Sequence, residues 1–212
     1  MLRLVAVAVC VTLTLPADII DRIAVSVGTQ VITTDQVNDD IRIAAFLAHE
    51  QPKLTPDEKK KAAERLIEQA LIKREMDLTH YPVPDLSEAD PLMQKVQAEY
   101  PDRQSFLNAL ARYDITEDDL RRHLWWQLTL LKFTDERFRP AVQVTTAEIR
   151  QYYRQQVDKW KEQGVKQIPS FEESREALEK ALTEERVNQV MDRWLGDART
   201  QIDIRFRNGV FQ

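Results

Sequence analysis

Apolar residues recur with a helical period over three long segments of the chain. On each segment they return every three to four positions, which places them on one face of a helix. The three sets are Ala63, Leu66, Ile67, Ala70 and Leu71; Leu120, Leu124, Leu128 and Leu131; and Phe171, Leu178, Leu182, Val190, Trp194 and Ala198. We therefore expect three helices that pack these faces against a core.

The expected helices share one kind of start. A threonine, serine or aspartate offers a side-chain oxygen to the free amides of the first turn, and an acidic or amide residue often follows three positions later. Such starts predict seven helices, with N-caps at Thr33, Thr55, Ser87, Asp102, Thr116, Thr145 and Ser170. The fifth helix should extend to about Phe138 and the seventh to about Thr200.

Strand patterns occur near the two ends of the chain. Residues 23–27 and 31–32 flank a turn that contains Gly28, which predicts a hairpin. Near the C-terminus, Ile202, Ile204 and Phe206 alternate with charged residues, which predicts a half-buried strand. Because a single strand is not stable alone, we expect it to pair with the hairpin. The predicted fold class is mainly α, with a small sheet that closes residues 18–212 into one domain.

Residues 1–17 have the pattern of a signal peptide. Arg3 precedes an apolar run from Leu4 to Leu15, which is shorter than the ~20 residues that a membrane-spanning helix needs. We expect cleavage near Ala17, a periplasmic or otherwise exported mature protein, and no membrane span in it. A buried strand and an uncleaved anchor are the alternatives.

Charge and composition narrow the classes of function. The net charge of −5 argues against nucleic acid as the main partner. The three histidines are not paired with cysteine or carboxylate at metal-ligand spacing, and no nucleophile motif or phosphate loop occurs. We therefore expect no catalytic residue, no metal and no cofactor. Because the sequence has no phosphate loop, we also expect no use of ATP. A catalytic pair that only the fold assembles stays an alternative.

The order of the segments resembles a known family. A hairpin ending in VITTD at 31–35 is followed by LTPD at 54–57, LIEQALI at 66–72, ITEDDL at 115–120 and VTTAEIRQYY at 144–153, and later by Trp194-Leu195 and Ile202-Asp-Ile204. This ordered set resembles the N-terminal domain and the closing helix and strand of the SurA family. The resemblance implies a chaperone core that binds unfolded polypeptides outside the cytoplasm, chiefly outer-membrane protein precursors.

The chain departs from that family at one place. In the family, parvulin prolyl-isomerase domains lie between the Tyr-Tyr helix and the last helix. In this chain only residues 154–170 lie between these two helices, and a folded domain rarely has fewer than ~50 residues. We therefore expect a short linker at 154–170 and no prolyl-isomerase activity.

Five residues are candidates for contact with clients. Trp126, Leu130 and Phe133 form a second apolar stripe on the fifth helix. Tyr153 and Trp160 lie at helical spacing, and Trp160 falls in the shortened linker, where little chain remains to cover it. The alternative is that these side chains simply belong to the core. The function that we expect is an ATP-independent exported chaperone that holds unfolded chains. The alternatives are a helical adaptor for one folded partner and a degenerate peptidyl-prolyl isomerase.

Overall fold

The computed structural model describes residues 22–207 and 209–211. Within these residues the chain forms seven α-helices and one three-stranded sheet, which confirms the predicted mainly α class. The strands are β1 (Ile23–Val27), β2 (Gln30–Thr33) and β3 (Ile204–Phe206), and the helices are α1 (Thr34–Leu47), α2 (Pro56–Thr79), α3 (Asp90–Gln97), α4 (Arg103–Arg112), α5 (Glu117–Arg137), α6 (Thr146–Glu162) and α7 (Phe171–Thr200). The signal peptide predicted at 1–17 lies outside the described residues.

The sheet joins the two ends of the described chain. β1 lies in the centre and pairs antiparallel with β2 on one side and with β3 on the other. Gly28 adopts φ +56° in the turn between β1 and β2, and its N–H donates to the carbonyl of Asp203 at 2.9 Å. The N–H of Arg207 donates to the carbonyl of Ala24, also at 2.9 Å. The predicted pairing of the C-terminal strand with the hairpin is therefore confirmed.

Most helices begin as predicted. At Thr33, Thr116, Thr145 and Ser170 the side-chain oxygen accepts from the backbone three residues on, and the side chain of that residue bonds back to the N-cap amide. Thr55 and Asp102 cap α2 and α4 through their own side chains.

The start predicted at Ser87 is wrong. Its hydroxyl lies 2.6 Å from Oδ1 of Asp85, and the same oxygen accepts from the Ser87 N–H at 2.9 Å. Asp85 therefore caps a 3₁₀ turn at Leu86–Ala89, and α3 begins only at Asp90, without a side-chain cap.

Two large apolar clusters and one small cluster form the core of the described residues. The larger cluster joins the sheet, α2, the C-terminal half of α5 and the C-terminal half of α7, with Val25, Ile67 and Val187 among its buried members. The second cluster joins the end of α1 to α3, α4 and the start of α5 around Phe46 and Phe106. The small cluster lies between α6 and the first half of α7. Helix α5 therefore contributes to both large clusters.

The leucine stripe predicted on α5 is only half correct. Leu120 and Leu124 are buried in the second cluster, but Leu131 is 58% exposed. The second cluster covers only the first turns of α5. Beyond them the covering elements are the sheet, α2 and α7, which bury Phe133 instead. The same side of the helix is therefore core at one end and surface at the other.

The segment 154–170 is not a linker along its whole length. Residues 154–162 continue α6, and α7 begins at Phe171, so that only residues 163–170 connect the two helices. None of the helices in the described part of the chain is both long and apolar enough to cross a membrane.

Candidate functional site

A cleft of about 430 Å³ opens between β2, α1, α2 and α5. Its size lies in the range of about 300–1,000 Å³ that is typical of ligand sites. The residues that form its walls include Val31 and Ile32 from β2, Asp39 and Ile43 from α1, Leu66 and Ala70 from α2, and His123 and Trp126 from α5. The consecutive elements β2, α1 and α2 thus meet α5, which lies later in the chain, around one space.

The apolar part of the cleft continues the larger core cluster. Leu66, Ala70 and Trp126 are each partly buried and pack against that cluster. The indole Nε1 of Trp126 is buried and has no acceptor among the described residues. A buried donor without an acceptor costs about 1–3 kcal/mol. This nitrogen is closed to solvent, so an acceptor could reach it only if the side chains around it moved.

The polar part of the cleft carries charges of both signs. The buried carboxylate of Asp40 accepts from Nε and Nη2 of Arg65 at 3.0 and 2.5 Å. Partial burial raises the pKa of Asp39, although Nη1 of Arg42 donates to this carboxylate at 3.1 Å. The rim therefore holds carboxylates in a partly desolvated setting, where hydrogen-bond donors bind more strongly than they do in water.

Two residues of α5 complete the polar wall. Burial alone would raise the pKa of Asp119, but hydrogen bonds from Thr116 and the charge of Arg122 outweigh it and hold this pKa below its ordinary value. Partial burial lowers the pKa of the His123 imidazole, and the opposing effect of the Asp40 carboxylate is smaller. His123 is therefore neutral at pH 7, and its Nε2 lies 2.9 Å from Nε2 of Gln127.

The arrangement is suited to non-covalent binding. It combines an apolar floor with donors and acceptors at the rim, which is the usual composition of a binding site. Within residues 22–207 and 209–211, no three histidine, cysteine or carboxylate side chains converge as they would around a metal ion.

The three candidates on α5 have different positions. Trp126 lines the cleft, and Leu130 does not. Leu130 is partly buried against the larger cluster, which favours the alternative that it belongs to the core. Phe133 is 1% exposed and packs edge-to-face with Tyr81 and Phe138, at centroid distances of 5.2 and 5.9 Å. Its role as a client contact is therefore wrong for the folded state, because the ring is enclosed by core side chains.

Tyr153 and Trp160 lie on α6, next to the connection to α7. Their rings are 6.4 Å apart, and the ring of Tyr153 also packs against Phe171 at 5.7 Å. The Tyr153 hydroxyl donates to the carbonyl of Pro169 at 2.9 Å. The expectation that Trp160 lies uncovered in a linker is wrong, because it is partly buried on a helix against Tyr153. Tyr153 belongs to the small cluster and Trp126 packs on the larger one.

The walls that face Trp126 carry little signal in the sequence. Val31 fits the pattern of a strand, and Leu66 and Ala70 fit the core face of a helix. One signal was present: on α2, the residues Ala63, Ile67 and Leu71 are enough for a core stripe, and Leu66 and Ala70 widen it. A wider apolar face than one neighbour can cover is the pattern of a helix that also lines a cleft.

A second surface combines exposed apolar and acidic residues. Leu78, Val83 and Leu86 are 61%, 47% and 45% exposed, and they fall within a short stretch around the end of α2. The neighbouring groove is lined by prolines and by the acidic side chains of Asp85, Glu88, Asp135 and Glu136. Lys132 lines it too and forms an ion pair with Glu88.

No model of a known protein family matches the chain, and no curated protein matches it either. The resemblance to the SurA family therefore stays a prediction.

Proposed function

We propose that the protein is an ATP-independent chaperone that holds unfolded polypeptides outside the cytoplasm. Its main clients would be the precursors of outer-membrane barrels, whose sequences alternate between apolar and polar residues. In this proposal the protein is not an enzyme, and it acts by covering apolar segments until they are passed on.

The observation that supports this proposal is the composition of the cleft. Leu66, Ala70 and Trp126 offer apolar contact, and Lys73 and Arg122 at the rim carry donors that can bond to a carbonyl. A backbone carbonyl is present in every residue of every client. Aromatic side chains also bury a large area at a low cost in entropy, which suits contact with many sequences.

The test is suppression of aggregation without ATP. A urea-unfolded outer-membrane barrel protein is diluted into buffer with or without the purified protein, and light scattering is followed. We expect suppression at an equimolar ratio. If scattering is the same with the protein as with an inert protein of similar size and charge, the chaperone proposal is refuted.

A matched pair of variants connects the activity to the cleft. Trp126 and Leu130 are both partly buried against the same cluster, but only Trp126 lines the cleft. Trp126→Ala and Leu130→Ala should both lower the melting temperature, whereas only Trp126→Ala should weaken the suppression of aggregation. Equal losses of activity would show that stability, and not the cleft, controls the result.

Two further measurements address export and enzyme activity. Fractionation and N-terminal sequencing should find a mature protein outside the cytoplasm that begins near Asp18. A protease-coupled assay with a Xaa-Pro peptide should show no turnover above that of an inert protein. Turnover would favour the alternative of a degenerate prolyl isomerase.

The second candidate function is an adaptor for one folded partner. The surface around Leu78, Val83 and Leu86 favours it, because exposed apolar side chains beside acidic ones are typical of an interaction site. A panel of unfolded clients separates the two functions. A chaperone suppresses the aggregation of many of them, whereas an adaptor suppresses none and binds a single folded protein.

A further inference from the structure

Among the residues that the structure describes, nothing pairs with the outer edge of strand β2. It is the outer strand of the sheet, and β1 pairs with it on one side only. The register places Val27 opposite Gln30 beside the two-residue turn, and Ser26 opposite Val31. In such a hairpin the pair next to the turn exchanges both hydrogen bonds, and the N–H and C=O of the following residue point outward. The backbone N–H and C=O of Val31 therefore point away from β1.

This unpaired edge opens into the cleft. Gln30, Val31 and Ile32 all line it. Successive side chains of a strand point to opposite faces of a sheet. No residue of β1 lines the space, so it lies on the side of β2 that faces away from β1. Val31 is 50% exposed.

The opposite walls complement an extended backbone. Such a backbone presents one N–H and one C=O per residue, and its side chains alternate between two sides. Lys73 and Arg122 can donate to a carbonyl, and the partly buried carboxylate of Asp39 can accept from an N–H. The rim carries carboxylates together with the cations of Lys73 and Arg122. Because the rim carries both positive and negative charges, it complements the dipoles of a peptide backbone better than it would complement an ion of a single charge sign.

We propose that an extended segment of an unfolded client adds to the edge of β2 as a further strand. The client backbone exchanges hydrogen bonds with Val31, and one of its apolar side chains enters the cleft against Leu66, Ala70 and Trp126. This inference rests on the proposed function and specifies how that function is carried out. Recognition through main-chain hydrogen bonds explains how one site can bind many sequences.

The first test removes the outward N–H of Val31. Proline is tolerated on edge strands where the N–H faces solvent, so Val31→Pro should fold, and Val31→Thr is the control that keeps both the N–H and the branched shape. Binding of a fluorescent peptide with alternating aromatic and polar residues is followed by anisotropy. We expect Val31→Pro to weaken the affinity at least tenfold, and by a larger factor than Val31→Thr, which reports the contribution of the side chain alone. Circular dichroism and melting temperatures establish that both variants are folded.

The second test changes the peptide and leaves the protein intact. In one peptide the amides of the aromatic residues are N-methylated, and in the other the amides of the polar residues. Residues that alternate along a strand direct their N–H groups to opposite edges. One peptide should therefore lose binding at least tenfold, and the other should bind nearly as well as the unmethylated peptide.

The outcomes separate this inference from the proposed function. If wild-type protein binds no peptide and suppresses no aggregation, both are overturned. If it does bind, and folded Val31→Pro binds equally well, only strand addition is overturned. Should Val31→Pro fail to fold, the methylated peptides decide, because equal affinity for both of them and for the unmethylated peptide overturns strand addition.

Discussion

Deletion of the chain from Ile202 onward should destabilise the whole fold and not only fray one end. β3 supplies one of the two partners of β1, the central strand. Ile202 and Ile204 pack against the larger core cluster, as do Val210 and Phe211 beyond the strand. The deletion therefore removes apolar cover from the same cluster that joins the sheet, α2, α5 and α7.

The size of the effect follows from these contacts. A fully buried isoleucine, valine or phenylalanine stabilises a protein by about 1.5–3 kcal/mol. Because these four side chains are only partly buried, we expect each of them to contribute about 1 kcal/mol to the free energy of unfolding. The hydrogen bonds to the carbonyls of Asp203 and Ala24 add at most about 1 kcal/mol each. The expected loss is about 4–6 kcal/mol, out of the ~5–15 kcal/mol that is typical of a folded domain.

Thermal unfolding followed by circular dichroism measures this loss. In a protein of this size each kcal/mol corresponds to a shift of about 2–4 °C, so the truncated chain should melt roughly 10–20 °C below the full chain. The control is Arg205→Ala, because the ion pair of Arg205 with Asp203 is exposed and such pairs contribute little. If the truncated chain melts within about 2 °C of the full chain, the C-terminal strand does not hold the core together.

Two further predictions concern α5. Phe133→Ala should lower the free energy of unfolding by about 3–5 kcal/mol, because the ring is buried. Leu131→Ala, at an exposed position, should change it by no more than about 0.5 kcal/mol. Equal losses for the two variants in a denaturant titration would contradict this assignment. The pKa of His123 is lower in the folded protein than in the unfolded chain. Between about pH 6.5 and the pKa of the folded state, the unfolded chain therefore binds more protons than the folded protein does. The free energy of unfolding should decrease as the pH falls through this window. His123→Gln should flatten the curve of melting temperature against pH in this window, and an unchanged curve would assign the pH dependence to other groups.

The sequence by itself determined the helices and the strands. The capping residues at Thr116 and Ser170 act within one turn, and the apolar period acts within a few turns, so neither depends on the rest of the fold. The pairing of the C-terminal strand was also predictable, because a strand with a half-buried pattern needs a partner and the hairpin was the available one. Ser87 shows the limit of such local reasoning, because a neighbouring carboxylate at Asp85 engaged its hydroxyl instead.

Only the tertiary structure decided which side of each helix is covered. Leu131 and Phe133 have equally apolar side chains on one helix, yet one is exposed and the other buried, because the elements that cover α5 change along its length. Trp160 was expected to be uncovered and instead packs on Tyr153. The cleft is also a product of the tertiary structure. Its walls come from β2, α1, α2 and α5, and their meeting depends on how these elements pack, which no local pattern along the chain encodes.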